Sequence, residues 1–228
     1  MFYQGYMASL MLKAVMQRYA GRNPAALHVF FLQMARPGPC TIEVDDIKHS
    51  PKGVCTVRAV LKQLSKKGGD DTKCYAIVTI ASVAPPEKIT RFHSNTRQCP
   101  STEGMVEAPI LPDQKNPTLR VLRNLDNESK DILETHHIFE FMDRRPMDTL
   151  ALPYLADTAK HPLDILEGGK LVTYLKPTLH YEVQFKNPVP ENMTSVRTSF
   201  VVFNTIDGRF DCDGWIFAED GKLLATTR

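Results

Sequence analysis

The chain contains one pattern twice, and this internal repeat constrains its fold more than any other feature of the sequence. Leu27–Pro39 reads LHVFFLQMARPGP and Leu179–Pro190 reads LHYEVQFKNPVP, so both segments start with Leu-His, continue through apolar residues and end in Pro-x-Pro. Each segment lies in a succession of one helix followed by several strands. A single helix with a whole antiparallel sheet to pack against predicts an α+β unit whose sheet wraps the helix. We expect two such units, paired edge to edge as the subunits of a homodimer would be.

The first copy of the repeat starts with a predicted helix. Over residues 7–20 apolar side chains recur at helical spacing, whereas Lys13, Gln17 and Arg18 fall largely on the opposite side. The segments that follow are rich in Val, Ile, Phe and Thr, and turns that contain Pro or Gly separate them. Four strands are therefore predicted, at about residues 26–34, 40–49, 53–64 and 73–82.

The middle of the chain has a different character. Residues 84–134 carry many Pro, Asn, Asp, Ser and charged side chains and show little periodicity. This composition predicts a long connection with one short helix near residues 128–134. The expected organisation is an N-terminal repeat, a polar linker and a C-terminal repeat, over residues 1–83, 84–134 and 135–228.

The second copy repeats the order of the first. A short strand is predicted over residues 136–142 and a helix over residues 149–166. Asp148 or Thr149 would cap the start of this helix, and Pro153 fits its first turn. Strands are then predicted at about residues 171–186, 194–206, 209–218 and 222–227. Hairpin turns are expected at the two Asp-Gly dipeptides, residues 207–208 and 220–221.

Composition and charge narrow the class of protein. With 43% hydrophobic and 24% charged residues, and 28 Lys and Arg against 26 Asp and Glu, the chain resembles a globular protein with a formal net charge of +2. This near balance predicts neither a nucleic-acid partner nor a membrane partner. No apolar run approaches the ~20 residues of a membrane span, and the N-terminus does not read as a secretory signal. The five scattered cysteines favour an intracellular, reducing location, cytoplasmic or peroxisomal.

Several segments, taken in order, resemble those of a known family. They are YQGYMAS (3–9), the first Leu-His segment (27–39), LAD (155–157), TLHYEVQF (178–185) and GWIFAEDGKLLATT (214–227). With them the chain resembles the type II acyl-CoA thioesterases and their thioesterase-like relatives, and only the linker lacks a counterpart. The resemblance implies a double hotdog fold, in which two helix-wrapped antiparallel sheets from an internal repeat are fused edge to edge. It also implies acyl-CoA or a related thioester as substrate, and a homo-oligomer, a dimer of double hotdogs.

The same resemblance implies a hydrolytic site made of an Asp, a hydroxyl residue and a Gln. Residue by residue, the Asp corresponds to Asp157 and the hydroxyl to Thr178. The Gln is expected just after the closing strand, one position beyond Arg228, the last residue given. The family also has a strand before its first helix, whereas this sequence opens almost directly on the helix. We therefore expect either a sequence clipped at both ends or a variant that has lost part of its site.

Hydrolysis of a thioester by these residues is chemically consistent. The Asp157 carboxylate would take the proton of the attacking water, and the neutral Thr178 hydroxyl would position that water. Backbone N–H groups at a helix N-terminus donate to a developing oxyanion, and Gln4, Gly5 and Tyr6, expected just before the first helix, are the candidates. We expect no metal and no organic cofactor, and the sequence contains no G-x-S-x-G nucleophile motif.

Each of these assignments has a structural alternative. Asp157 is by default an exposed helix residue, and Thr178 a strand residue that favours β structure. Gly5 is by default a residue that lets the chain enter a helix. His28 and His180 occupy matching positions of the repeat, and we interpret them as packing positions and not as a metal pair.

The roles of three other histidines are also not decided by the sequence. His136 and His137 are adjacent in a predicted strand and point to opposite faces, so they cannot chelate one ion together. His161, four residues after Asp157, is the nearest histidine for a dehydratase, because hotdog dehydratases usually rely on a His with an acidic partner.

The sequence is therefore also consistent with two functions other than hydrolysis. One is a catalytically inactive thioesterase-like binding or scaffold protein, which the missing Gln position favours. The other is a hotdog enzyme that acts on a pathway-specific polyketide or carrier-protein thioester, because function depends on the site and not on the fold.

Overall fold

The computed structural model describes residues 4–66, 68–81, 97–108, 118–124, 133–158, 177–207 and 209–228, which belong to two compact units. Unit 1 contains the described residues up to Ala81 together with Pro177–Phe185, and unit 2 contains the other described residues. In chain order the elements are α1 (Gln4–Arg18), β1 (Asn23–Phe31), β2 (Thr41–Lys48), β3 (Cys55–Leu64), β4 (Asp70–Ala81), β5 (Val106–Glu107), β6 (Leu119–Arg123), β7 (Leu133–Phe141), α2 (Ala151–Thr158), β8 (His180–Phe185), β9 (Ser195–Ile206), β10 (Arg209–Phe217) and β11 (Leu223–Thr227).

Unit 1 is an antiparallel sheet with one helix packed against it. Its strand order is β2-β3-β4-β1-β8, and α1 contacts β1, β2, β3 and β4. The apolar face of α1 is buried, and it consists of Met7, Ala8, Met11, Leu12 and Val15. Full burial of one Leu or Met side chain contributes about 1.5–3 kcal/mol relative to exposure. Packing of this face therefore holds the helix against the sheet, as the repeat pattern predicts.

The start of α1 differs from the prediction. The helix begins at Gln4, three residues before the predicted start, so the expectation that Gln4, Gly5 and Tyr6 precede the helix is wrong. These residues form its first turn. The apolar spacing that predicts the helix begins only at residue 7, and the contact of Gln4 with the distant Thr178 is not visible in the local sequence.

The two Leu-His segments pair with each other. In the antiparallel ladder between β1 and β8, His28 lies opposite Glu182 and Phe30 lies opposite His180. The edge-to-edge pairing expected for the repeats is thus present at these strands. As a result β8 is part of unit 1, although the sequence assigned it to the C-terminal repeat. Residues 171–176, the start of the predicted strand, lie outside the described residues.

Unit 2 is also an antiparallel sheet with a helix. Its strand order is β11-β10-β9-β7-β6-β5, and α2 contacts β10. β5 and β6 lie in the predicted linker, which the sequence analysis described without strands. Leu119 and Val121 of β6 are buried opposite Phe141 and Phe139, an alternation too short to stand out in the sequence.

The region before β7 needs a second correction. The short helix predicted over residues 128–134 is wrong at Leu133 and Glu134, because both belong to β7. Residues 128–132 lie outside the described part of the chain. β7 pairs with both β6 and β9, so these two residues are drawn into a strand by cross-strand hydrogen bonds that local propensity does not report.

The start of α2 agrees with the cap and the first turn predicted from the sequence. The Ala151 N–H donates a hydrogen bond to Asp148 Oδ1 at 2.9 Å, which confirms the predicted cap, and Pro153 lies in the first turn. Residues 159–166 of the predicted helix lie outside the described residues. Neither described helix has the length and apolar character that crossing a bilayer requires.

Both predicted hairpin turns are present in unit 2. Asp207, between β9 and β10, has φ 51°, and Gly221, between β10 and β11, has φ 86°. The left-handed conformation at Gly221 costs little because glycine has no Cβ. The Gly221 N–H donates to the Ala218 carbonyl at 3.0 Å and closes the turn.

Candidate active site

Two predicted site residues, Gln4 and Thr178, are in direct contact in unit 1. Gln4 Nε2 donates to the Thr178 carbonyl oxygen at 2.8 Å, and the Thr178 N–H donates to Gln4 Oε1 at 3.1 Å. The side-chain amide thus satisfies both backbone groups of Thr178, as a neighbouring strand would. We call this pair of hydrogen bonds the Gln4–Thr178 clamp. It holds Thr178 beside the first turn of α1.

The clamp orients Thr178 through its backbone and not through its side chain. Thr178 is half-buried, and among the described residues no hydrogen bond involves its hydroxyl. The next residue is also fixed, because the Leu179 carbonyl accepts the Phe31 N–H at 3.1 Å. A hydroxyl on a rigid backbone segment at the start of β8 is suited to hold a polar group of a ligand or a water molecule.

Gly5 and Tyr6 complete the first turn of α1, the turn to which the clamp joins Thr178. Gly5 is buried and its carbonyl accepts the Ser9 hydroxyl at 3.0 Å, whereas Tyr6 is 46% exposed. The first N–H groups of a helix have no acceptor within the helix, and the helix dipole makes this end partly positive. α1 has no acidic residue in its first turn that would neutralise this charge. The turn therefore favours a developing negative charge.

Asp157 lies in unit 2, near the end of the described part of α2. It is half-buried, whereas its neighbours Leu155 and Thr158 are buried, and the Thr158 hydroxyl donates to the Tyr154 carbonyl at 2.6 Å. Asp157 therefore lies at the margin of the buried helix face and not on its fully solvated side. Its role as a base stays a prediction.

The histidines of unit 1 are stacked with other rings. The ring centroids of His28 and His180 are 6.2 Å apart at an interplanar angle of 15°, and Phe30 lies 4.7 Å from His180. His28 Nδ1 is 3.7 Å from Glu182 Oε2. These contacts agree with packing positions on neighbouring strands. In the described ranges no group of three or more His, Cys, Asp or Glu residues is arranged to hold a metal ion.

The adjacent histidines of β7 point to opposite faces, as predicted. His137 is fully buried and stacks on Phe139 with centroids 5.5 Å apart. His136 lies on the outer face, where its Nε2 is 2.5 Å from Glu134 Oε1. They cannot bind one ion together. His161, the histidine considered for a dehydratase, lies outside the described residues.

The sequence analysis missed a charged cluster on the outer face of the unit 2 sheet. Glu134 accepts hydrogen bonds from Ser199 at 2.7 Å and from His136, and it forms an ion pair with Arg97, whose guanidinium lies 5.1 Å from the Trp215 ring centroid. Burial alone would raise the pKa of Glu134, but the hydrogen bonds from His136, Arg97 and Ser199 lower it to about 2. Arg97, β7 and β9 lie far apart in the sequence, so the spacing of these residues does not predict the cluster.

The thiols of Cys74 and Cys212 are poorly suited to nucleophilic catalysis. Burial raises the pKa of both Cys74 and Cys212 to about 12, so both stay protonated near neutral pH. Cys55 is buried and accepts a hydrogen bond from Arg22 at 3.0 Å. These cysteines pack as structural residues, which agrees with a mechanism that uses water.

Comparisons with known proteins identify the fold. Residues 1–83 match the family of acyl-CoA thioesterase N-terminal domains. A protein of unknown function with a hot dog fold, from Alicyclobacillus acidocaldarius, is similar with a TM-score of 0.80 at 19% identity, covering 99% of this chain and 84% of that one. The chain has a double hotdog fold. No curated protein sequence matches it.

Two other solved structures that are similar to the chain are described with different activities. An acyl-CoA thioesterase II from Mycobacterium marinum is similar with a TM-score of 0.63 at 17% identity, covering 98% of this chain and 85% of that one. The dehydratase domain of RzxB from Pseudomonas fluorescens is similar with a TM-score of 0.52 at 13% identity, covering 99% and 82%. The family match in residues 1–83 confirms the resemblance to thioesterases, and together with the fold it supports thioester hydrolysis as the general activity.

Proposed function

We propose that this double hotdog protein hydrolyses acyl thioesters, with acyl-CoA as the substrate. The observation that carries the proposal is the Gln4–Thr178 clamp, which holds the backbone of Thr178 at the N-terminal turn of α1. A water-binding hydroxyl and a set of oxyanion donors are two of the three elements that such a reaction requires. Asp157 on α2 is proposed as the third, the base.

The proposed reaction is direct attack of water. The Asp157 carboxylate takes a proton from the water as its oxygen bonds to the thioester carbonyl carbon. The carbonyl oxygen becomes an oxyanion, which the N–H groups of the first turn, at Gln4, Gly5 and Tyr6, stabilise. Collapse of this intermediate breaks the carbon–sulfur bond, and the leaving thiolate takes up the proton. The products are a carboxylic acid and free CoA.

The proposed roles make distinct demands on each side chain. Thr178 needs only a hydroxyl, so Thr178→Ser should retain most activity, whereas Thr178→Val should lose about 10²-fold in kcat/KM because its water is no longer held. Gln4 is a positioning residue for Thr178. Asp157 needs a titratable carboxylate, so the isosteric Asp157→Asn should lose about 10²–10⁴-fold.

A thiol-release assay on short-, medium- and long-chain acyl-CoA tests the proposal. Asp211→Asn is the matched control, since Asp211 is an exposed carboxylate on β10. We expect release that Asp157→Asn abolishes and Asp211→Asn leaves intact. Equal rates for wild type and Asp157→Asn would contradict the assignment of the base, and no release from any substrate would contradict hydrolysis and favour a binding or scaffold role.

A second candidate reaction is dehydration of a hydroxyacyl group on a carrier protein. The observation that favours it is the similarity of this fold to the dehydratase domain of RzxB. The same incubation distinguishes the two, because hydrolysis releases a thiol whereas elimination of water yields an unsaturated thioester and no thiol. Mass spectrometry of the products of a 3-hydroxyacyl thioester therefore decides between them.

A further inference from the structure

Unit 1 presents a group of large apolar side chains to solvent at one end of its sheet. Leu64 ends β3, Leu32 and Met34 follow β1, and Leu179 precedes β8. The antiparallel ladders β3–β4, β4–β1 and β1–β8 bring these positions to the same end of the sheet, across roughly 15 Å. All four residues are 57–79% exposed, and among the large apolar residues that the structure describes the three highest values belong to this group. We call the four side chains the apolar rim.

The backbone that carries the apolar rim is held by hydrogen bonds. The N–H groups of Leu32 and Gln33 both donate to the Lys73 carbonyl, at 2.9 and 3.0 Å. Lys73 Nζ donates back to Gln33 Oε1 at 3.0 Å. The turn that follows β3 is closed by the Ser65 N–H, which donates to the Gly69 carbonyl at 2.8 Å. The rim is therefore a fixed feature of the surface, and a fixed group of exposed apolar side chains indicates an interaction site.

The apolar rim adjoins the proposed active site. Leu179 directly follows Thr178, whose backbone is bound by Gln4 of the first turn of α1. The Leu179 carbonyl in turn accepts the N–H of Phe31, at the end of β1, at 3.1 Å. The rim and the Gln4–Thr178 clamp therefore share consecutive residues at the start of β8. A partner that covers the rim would lie beside the clamp.

The charges next to the apolar rim have both signs. Arg36 and Lys66 are exposed and each lies two residues beyond a rim residue. Asp70, at the start of β4, is also exposed, and Asp71 forms an ion pair with Lys73 at 3.2 Å. This mixture offers no single sign of charge to a partner. It therefore favours a partner that is held by apolar contact over an acidic protein that is held by ion pairs.

The size of the apolar rim also bears on the kind of partner. A stable protein interface takes roughly 20–30 residues from each side and is enriched in aromatic residues. The rim consists of three leucines and one methionine at the ends of strands. Such a small aliphatic group is suited to a lipid surface, because apolar side chains can enter the boundary between headgroups and acyl chains without a complementary partner surface.

We propose that the apolar rim docks this protein reversibly onto a lipid surface. The purpose of docking rests on the proposed function, because a long-chain acyl thioester is an amphiphile whose chain leaves water for lipid. The docked rim places the clamp at the surface that holds such a substrate. The near-balanced charge of the chain predicted no membrane partner, but that prediction concerns attraction by charge, whereas this attachment is apolar.

Flotation with phosphatidylcholine vesicles tests the inference without turnover. Met34→Ser and Leu64→Ser each remove one large apolar side chain of the rim, and neither residue belongs to the proposed catalytic machinery. Ile47→Ser is the matched control, since Ile47 is 59% exposed near the other end of the same sheet, on β2. We expect the wild type to float with the vesicles and each rim variant to bind about three- to tenfold more weakly. The control should change by less than about twofold, and added salt should have little effect.

Three results would overturn the inference. The first is a wild-type protein that does not float with the vesicles. The second is an equal loss of binding in Ile47→Ser and in the rim variants, which would place the lipid contact elsewhere. The third comes from light scattering: a wild-type dimer that Met34→Ser and Leu64→Ser convert to monomers would show that a second copy of the chain covers the rim.

Thiol release separates this inference from the proposed function. With short-chain acyl-CoA and no vesicles, both rim variants should keep the wild-type rate. With long-chain acyl-CoA in vesicles, each should lose the same factor in rate as in vesicle binding. Thiol release without flotation overturns the docking alone, whereas rim-dependent flotation without any thiol release supports the docking and overturns the proposed function.

Discussion

The Gln4 carboxamide forms two hydrogen bonds with the backbone of Thr178, although the two residues are 174 positions apart in the sequence. This contact joins the first turn of the first helix to the residue that leads into β8. A second amide clamp of the same kind lies elsewhere in unit 1. Gln63 Nε2 donates to the Arg36 carbonyl at 2.8 Å, and the Arg36 N–H donates to Gln63 Oε1 at 3.0 Å. The two clamps allow a matched comparison.

Removal of the first clamp should affect both stability and activity. Gln4→Ala loses two partly buried hydrogen bonds, so we expect the free energy of unfolding to fall by about 1–2 kcal/mol. Hydrolysis should fall further than this loss explains, because the Thr178 hydroxyl is no longer held in place. Urea unfolding and thiol release measure the two effects.

The exposed clamp supplies the control for this variant. Gln63→Ala removes the two equivalent bonds, and a long third bond to the Pro39 carbonyl, from an exposed site, so we expect a smaller loss of stability and an unchanged rate. Gln4→Glu keeps an acceptor for the Thr178 N–H but cannot donate to its carbonyl, and should resemble Gln4→Ala. A Gln4→Ala variant with wild-type kcat/KM would contradict the positioning role.

Gly214 on β10 should tolerate no side chain. A Cβ at this position would lie 2.5 Å from Phe200 Cε1 and 2.5 Å from Thr227 Cγ2. Gly214→Ala should therefore lower the free energy of unfolding by about 1–3 kcal/mol, the usual cost of overpacking. In a Phe200→Leu background the added methyl has more room, so the same substitution should cost less there. Equal costs in the two backgrounds would show that the ring is not the obstacle.

Asp148 should stabilise α2 as its cap. Its carboxylate accepts the Ala151 N–H at 2.9 Å, so Asp148→Ala is expected to cost about 1 kcal/mol in chemical unfolding. Asp148→Asn retains the acceptor and should cost only a few tenths of that. Because α2 also carries Asp157, the alanine variant should lower thiol release in parallel. Identical stabilities of the alanine and asparagine variants would rule out a capping role.

Stability should depend on pH through Glu134. Its pKa in the folded protein is about 2, below the usual value of 4.5, because three hydrogen bonds outweigh the effect of burial. The stabilisation is fully present above about pH 4.5, the usual value, and is lost as the pH falls through about 2. The contribution at neutral pH is on the order of 1–3 kcal/mol.

The isosteric variant Glu134→Gln removes the titratable carboxylate and thereby isolates its contribution to the pH dependence of stability. Glu219 adds to acid sensitivity, since burial would raise its pKa but hydrogen bonds from Ser195 and Thr194 lower it. The comparison is therefore between slopes. Free energies of unfolding measured from pH 5 to pH 2 should fall less steeply for Glu134→Gln than for wild type, and parallel slopes would contradict the assignment.

Local patterns in the sequence determined much of the fold. The helical spacing of Met11, Leu12 and Val15 predicted the packing of α1, and Asp148 and Gly221 predicted a cap and a turn. These features depend on residues that are neighbours along the chain, so the sequence displays them directly. The repeated Leu-His segments predicted that two strands would be equivalent, and the structure pairs them.

Only the tertiary structure decided the candidate site and its surroundings. The clamp brings Gln4 to Thr178, and the Glu134 cluster joins Arg97 to strands β7 and β9. Such contacts join residues far apart in the chain, whose types are each common in their own segment. The sequence by itself therefore determined helices, strands and turns, while long-range hydrogen bonding and burial decided which polar groups meet.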